Sequence, residues 1–101
     1  MVERRGSPRR AYPFVQRIAP WSGGASPSPK QFFHVQCKDI SEGGIAFFMD
    51  RLPDFENLIM ALGLPPKLTY ITARVSRVAG AEHNGQQQYV VGCRFTGRFG
   101  K

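Results

Sequence analysis

The chain has 101 residues, enough for one domain with a modest core and too few for two. Apolar residues make up 42% of it, which excludes a disordered chain, and eleven glycines and eight prolines argue against a helical bundle. The formal charge of +7 favours an anionic partner, namely nucleic acid, anionic lipid or a phosphorylated small molecule, without choosing among them.

A basic segment opens the chain. Residues 1–11 carry four arginines and one glutamate, and we predict a flexible arm that precedes a single domain over residues 12–101. No apolar stretch near the N-terminus resembles the core of a secretory signal. The longest apolar run, residues 58–64, is far shorter than the ~18 residues of a membrane-spanning helix. We therefore expect a cytoplasmic protein without a membrane span.

Alternation of apolar and polar residues with a period of two predicts β-strands along most of the chain. Turn-forming residues separate the alternating stretches, and no segment of ten residues shows a helical period. Residues 21–30, rich in Ser, Pro and Gly, are predicted to form a mobile hairpin loop. The six expected strands cover residues 13–19, 31–39, 44–50, 57–64, 69–78 and 88–97.

Closure into a barrel is the expected arrangement of these strands, because a small antiparallel sheet must hide its two edges. The predicted fold is therefore all-β, a six-stranded antiparallel β-barrel with a flexible basic N-terminal arm. Cys37 and Cys93 each lie among alternating apolar residues, which predicts two buried free thiols. Two cysteines are too few for a disulfide framework or a zinc site, so no metal site is expected.

The stretch DISEGG, residues 39–44, has two interpretations. In the first it is only a turn, because Asp and Ser side chains bond nearby amides and Gly adopts a positive φ. In the second, Asp39 and Ser41 project to the same side of an extended segment, and Gly44 lets a ligand approach the backbone. A carboxylate can accept from two donors of a guanine edge, and a hydroxyl can reach a phosphate. The residues alone leave both interpretations open.

The arm contains the pattern R-x-x-x-R at Arg5 and Arg9. Guanidinium groups bind phosphate in a bidentate manner and stack on flat bases. Pro8 excludes a regular helix between them, so the spacing does not describe a helical face. The pattern is weak alone, because residues 94–98 match it too. A ligand site is favoured by the combination of the arm with the D-x-S-x-x-G pattern that begins at Asp39.

The chain resembles the PilZ domain family over nearly its whole length. The resemblance rests on ERRGSPR before the first strand, DISEGGIAFF between the second and third strands, and YVVGCRFTG in the last strand. The family is a six-stranded antiparallel barrel that binds cyclic di-GMP through the motifs R-x-x-x-R and [D/N]-x-S-x-x-G. The resemblance implies these ligand-binding residues: Arg4, Arg5, Arg9, Asp39, Ser41, Gly43 and Gly44.

The same resemblance implies a role for each motif. Arg5 and Arg9 would hold phosphate and guanine, and the D-x-S-x-x-G turn would form the floor of the site. In this family a basic residue at the position of Arg4 often accompanies two stacked ligand molecules. The loop over residues 20–30 is longer than a minimal hairpin, and the C-terminal helix common in the family is absent or very short, which puts helix-mediated contacts in doubt.

The implied function is a non-catalytic cyclic di-GMP receptor that signals by a conformational change to a partner protein. The resemblance implies no cofactor besides this ligand, and a monomer or a ligand-dependent dimer. One alternative is a ligand-independent protein-interaction module.

Two other function classes have weaker support from the residues. His34 lies on a strand face and His83 in a Gly/Asn turn, and neither falls in a motif with a nucleophile or a metal-ligand spacing. We therefore expect no enzyme and no catalytic residue. A small basic β-barrel that binds nucleic acid is a further alternative, but the arginine cluster is not interleaved with exposed aromatic residues. Nucleic acid is accordingly not an expected partner.

Overall fold

The computed structural model of the protein describes residues 8–100. Seven strands and one 3-10 turn follow one another in this part of the chain. They are β1 (Arg10–Ala11), β2 (Val15–Pro20), the 3-10 turn (Pro29–Gln31), β3 (Phe33–Ile40), β4 (Gly44–Met49), β5 (Asn57–Leu64), β6 (Lys67–His83) and β7 (Gln86–Arg98).

The sheet closes on itself. Its hydrogen-bonded order is β3, β2, β5, β6, β7 and β4, and β4 pairs again with β3. All of these pairings are antiparallel. The predicted six-stranded antiparallel barrel is thereby confirmed. β1 is a short additional strand that pairs with the last two residues of β3.

Alternate residues of the six barrel strands fill the interior, as a half-buried sheet requires. Cys37 and Cys93 belong to this core as free buried thiols, which confirms the expectation for both. Burial disfavours the thiolate and raises the pKa of each to about 12. The core cluster consists of Ile18, Val35, Cys37, Ile45, Phe47, Leu58, Met60, Ala73, Val91 and Cys93.

The loop between β2 and β3 covers part of the outer face of the barrel. Ala19 and Ile59 are opposite one another there and are fully buried, although they alternate with core residues. The ring of Trp21, at the start of the loop, meets the ring of Phe99 with centroids 5.5 Å apart. The Trp21 amide bonds the Asn57 carbonyl and the Phe99 amide bonds the Tyr70 carbonyl, so the two rings come from opposite sides of Ile59 and cover it where they meet. The mobility of residues 21–30 stays a prediction.

β6 and β7 form a longer hairpin than the sequence predicts. The expected strands cover residues 69–78 and 88–97, whereas the observed strands continue until only Asn84 and Gly85 separate them. Both residues have positive φ, 54° and 75°, which is the two-residue turn that matches the twist of the flanking strands. The hairpin therefore reaches beyond the ends of its neighbours β4 and β5.

Candidate functional site

β1 brings the end of the arm back to β3. Ala11 pairs with Asp39, and the Tyr12 amide donates a hydrogen bond to the Lys38 carbonyl at 3.0 Å. Strand pairing thus begins inside the segment that the sequence predicts as an arm. Because Arg9 directly precedes this pairing, its side chain lies beside a carboxylate thirty positions further along the chain.

Asp39 is the anionic centre of this region. The Arg9 guanidinium donates to Asp39 Oδ1, with 2.6 Å between Nη1 and Oδ1, and Lys38 Nζ donates to Oδ2 at 3.1 Å. Both carboxylate oxygens therefore have a cationic partner. The Asp39 side chain is 17% exposed and that of Arg9 is 55% exposed. A pair that is open to solvent on one side contributes only ~0–1 kcal/mol to stability.

An irregularity in β3 decides which way Asp39 faces. The register with β4 shifts between Cys37 and Asp39, so that Lys38 is an extra residue in the strand. Without this bulge Asp39 would share the inward face of Cys37, since residues two apart lie on the same side of a strand. The bulge instead turns the carboxylate to the outer face, opposite Ala46 of β4.

The D-x-S-x-x-G segment does form a turn, but not with all of its polar residues. The Ser41 amide donates to the Gly44 carbonyl at 2.9 Å, and Ser41 Oγ accepts from the Gly43 amide at 3.2 Å. Ser41 therefore builds the turn, while Asp39 bonds Arg9 and Lys38. As an acceptor in this turn, the Ser41 hydroxyl still has its own hydrogen to donate.

Packing explains Gly44 better than its backbone angle does. Neither Gly43 nor Gly44 has a positive φ, so the expectation of a left-handed turn glycine is wrong here. A Cβ at Gly44 would overlap the carbonyl oxygen of Cys93, because β7 passes very close. This contact excludes a side chain at Gly44 with or without a ligand. A Cβ at Gly43 would meet no atom within 4 Å.

A strip of small residues lies beside Asp39 on the outer face. Ala46 of β4 is opposite Asp39, and Gly92 of β7 is opposite Ala46. Their neighbours along each strand point into the core, so both positions face outward. We call Ala46 and Gly92 the floor, because no side chain there extends beyond a methyl group.

Arginines stand on the far side of the floor. Arg77 of β6 is opposite Gly92, and two carbons of its side chain would lie 3.9 and 4.0 Å from a Cβ placed there. Arg74 of β6 and Arg94 of β7 are opposite one another in the next row of residues that faces outward. All three are exposed, and within residues 8–100 none of them has a carboxylate partner. Three strand spacings, ~14 Å, separate Arg77 from Asp39.

The predicted site residues that the structure describes lie close together in one region of the barrel. They are Arg9, Asp39, Ser41, Gly43 and Gly44. Arg4 and Arg5 lie outside the described residues. The sequence did not point to the floor or to the arginines beyond it. The alternation of apolar and polar residues could have indicated the arginines, since they occupy polar positions in TARVSRV and VVGCRF, which belong to two paired strands.

A cavity of about 850 Å³ lies at a different place, near one end of the barrel. It is lined by residues 50–52 and by the tip of the β6–β7 hairpin, where the rings of Phe48 and His83 stack with centroids 4.0 Å apart. None of the motif residues between positions 8 and 100 lines it, so the contact of Arg9 with Asp39 lies outside this cavity. Across residues 8–100 no cluster of His, Cys, Asp and Glu could hold a metal ion, and no helix is suited to crossing a membrane.

The sequence matches the model of the PilZ domain over residues 3–98. The chain therefore belongs to the PilZ domain family, which is the family of cyclic di-GMP receptor domains.

Solved structures of MrkH have a similar fold. The complex of K. pneumonia MrkH with c-di-GMP gives a TM-score of 0.65 at 20% identity over 94% of this chain, and the apo state gives 0.60 at 19% over 95%. A further structure of MrkH, described as a c-di-GMP-dependent transcription regulatory factor, gives 0.62 at 18% over 95%. The chain spans less than half of each of those chains, 45–46%. No curated protein matches the sequence. At these identities the likeness establishes the fold.

Proposed function

We propose that this protein is a receptor for cyclic di-GMP, which binds on the outer face of the barrel between Asp39 and Arg77. The observation that carries the proposal is the 2.6 Å contact between Arg9 and Asp39, since it joins the two ligand-binding motifs of the family across thirty residues. A cyclic dinucleotide presents purine edges and phosphates, and it therefore needs both an acceptor and cations. This surface offers the Asp39 carboxylate together with several arginines.

Ligand binding would exchange the partners of the Arg9–Asp39 pair. A guanine edge has two neighbouring N–H donors that fit the two oxygens of Asp39, and the guanidinium of Arg9 fits a phosphate or stacks on a base. Breaking the exposed pair costs ~0–1 kcal/mol. Each new hydrogen bond to a charged group contributes ~1.5–3 kcal/mol. The pair thus keeps the arm beside the floor without preventing the exchange.

Arg77 and Arg94, which lie across the floor from Asp39, give the proposed site a second cationic edge. A cyclic dinucleotide carries two phosphates on opposite sides of its ring, so cations near Asp39 alone neutralise only one of them. Arg77 and Arg94 are exposed and have no carboxylate partner within residues 8–100. We assign them to the second phosphate. The floor of Ala46 and Gly92 would let the flat ligand lie close to the backbone between the two edges.

We infer that the protein acts in the cytoplasm by binding alone, without catalysis, and that a partner protein reads the bound state. The proposed exchange at Asp39 moves Arg9 and therefore the end of the arm. A partner that contacts the arm would distinguish the two states. The MrkH structures support such a coupling only by fold, since MrkH is described as a c-di-GMP-dependent regulator.

Titration calorimetry with cyclic di-GMP tests the proposal, with GTP, cyclic GMP and a single-stranded oligonucleotide as competitors. Arg9→Ala should weaken binding by about ten- to a hundredfold, the equivalent of the lost charge-assisted bonds. The matched control is Arg51→Ala, because Arg51 is 83% exposed and its one ion pair within residues 8–100 is with Asp50, at 4.0 Å. Absence of binding to wild type, or equal losses in the two variants, would refute the proposal. Tighter binding of the oligonucleotide, falling steeply with salt, would indicate a nucleic-acid protein instead.

A further inference from the structure

The β6 strand has a free edge at the end of the long hairpin. The pairing of β5 with β6 ends at Asn57 and Arg74, with one more bond from the Val75 amide to the Glu56 carbonyl. Beyond that point, residues 76–83 pair only with β7 among the described parts of the chain. β7 pairs with β4 as far as Tyr89, so only residues 81–83 and 86–88 form a two-stranded ribbon, while residues 76–80 are the edge of a three-stranded sheet.

The turn at the tip fixes which backbone groups point away from β7. Because Asn84 and Gly85 form a two-residue turn, the flanking pair His83 and Gln86 exchanges both of its hydrogen bonds. Bonded and non-bonded pairs then alternate along an antiparallel ladder. Residues 77, 79, 81 and 83 therefore bond β7, and residues 78, 80 and 82 direct their N–H and C=O groups outward.

This edge lacks the devices that usually protect an exposed strand. Natural edges carry lysines, prolines or bulges that prevent pairing with another chain. Residues 78–81, VAGA, contain no charge and no proline, and the register shift of β6 lies before them, between Val75 and Arg77. Val78 is 36% exposed. The only charged positions are at the two ends, Arg77 and Glu82.

Gly80 at the centre of this edge has no explanation within one copy of the chain. Its φ is not positive, and a Cβ there would meet nothing within 4 Å. The ring of Tyr89, its partner on β7, does not lie over it either. A glycine inside a strand weakens the strand and often marks the close approach of another backbone.

We propose that this edge pairs antiparallel with the same edge of a second copy of the chain, about a twofold axis at Gly80. The twofold places Gly80 opposite itself and Val78 opposite Glu82 of the second copy, and these are the residues whose backbone groups point outward. The edge is therefore self-complementary in its hydrogen bonds. In this register Arg77 is opposite His83 of the second copy and Glu82 is opposite Val78, so no like charges face each other across the new pairing. The product joins the two sheets through their β6 strands, in the order β4–β7–β6–β6–β7–β4, which pairs both exposed β6 edges.

Sedimentation equilibrium of the full chain, from micromolar to millimolar concentration and with and without cyclic di-GMP, tests the proposal. We expect a reversible dimer in both conditions. Gly80→Glu has room in the single chain and sets two carboxylates opposite one another in the dimer, which should weaken association by about fivefold or more. Gly80→Lys should act in the same way. An equimolar mixture of the two variants should restore association, because opposite charges then face each other.

Gln87→Glu is the matched control, because it adds the same charge at an exposed position on the other strand of the ribbon. Thermal melts of each variant check that it is folded. A wild type that stays monomeric up to millimolar concentration would overturn the proposal. So would a Gln87→Glu loss equal to that of Gly80→Glu, or a mixture that stays dissociated.

Discussion

Replacing Gly92 with alanine should raise the stability of the protein and lower its affinity for cyclic di-GMP. Gly92 lies inside β7 without a positive φ, and a Cβ there would find its nearest atoms at 3.8–4.0 Å, all from Arg77. A methyl group therefore fits in the ligand-free protein. A glycine within a strand costs ~0.5–1 kcal/mol relative to alanine. Gly92→Ala should increase the free energy of unfolding by about that amount and Tm by about 2–8 °C.

The opposite effect on affinity follows from the position of the floor. The new methyl group would stand between Ala46 and Arg77 on the outer face, where the ligand is proposed to lie against the backbone. Overpacking a close contact costs ~1–3 kcal/mol, and affinity should therefore fall by about five- to a hundredfold.

Thermal denaturation without ligand and calorimetry with cyclic di-GMP measure the two effects separately. Gly97→Ala is the matched control on the same strand, since its Cβ would meet only Thr72 Oγ1, at 3.4 Å, and it lies five positions from the floor. It should leave affinity unchanged. Gly44→Ala should instead unfold early, because its Cβ overlaps Cys93. If Gly92→Ala binds the ligand as tightly as wild type, the ligand does not lie on the floor.

Three further predictions concern the turn, the thiols and the arm. Ser41→Ala should lower affinity clearly and Tm by only a few degrees, since one lost hydrogen bond costs ~1 kcal/mol; wild-type affinity with a much earlier melt would make the segment a turn only. Because burial raises the pKa of Cys37 and Cys93 from 9.0 to about 12, the unfolded chain releases these protons first. The free energy of unfolding, measured in urea, should therefore fall as the pH rises from 9 to 12, by up to ~1.4 kcal/mol per pH unit for each thiol. A variant with alanine at both positions should not show this fall. Residues 1–11 should gain amide-exchange protection when cyclic di-GMP binds, and equal protection in both states would argue against a closing arm.

The sequence predicts the barrel well because its strands carry a simple period. Each strand buries one face, so apolar residues recur at every second position and register follows from that pattern. The two motifs are also readable, since they consist of consecutive residues. Their contact is not readable from spacing, because Arg9 and Asp39 meet through the pairing of β1 with β3, which two residues form without any apolar pattern.

Irregular positions account for what the sequence does not predict. Alternation assigns Asp39 to the same face as Cys37, and only the extra residue Lys38 turns it outward. A similar register shift between Val75 and Arg77 interrupts the period of β6. The length of the β6–β7 hairpin is not predicted for another reason. The signal for a turn is strong at Asn84, but composition does not indicate that the strands continue to within one residue of it.

The geometry separates the two interpretations of DISEGG by residue rather than choosing one for the whole stretch. Ser41 and Gly44 hold the β3–β4 turn, through a hydroxyl that accepts the Gly43 amide and through the close passage of β7. Asp39 has no part in that turn, and its carboxylate is held by two side-chain cations instead. Folding therefore constrains Gly44 strongly and Ser41 by one hydrogen bond of ~1 kcal/mol, whereas it leaves Asp39 nearly free, since its exposed pairs contribute little. Of the three motif residues, Asp39 is consequently the one that the fold explains least, which is why we propose that it serves the ligand.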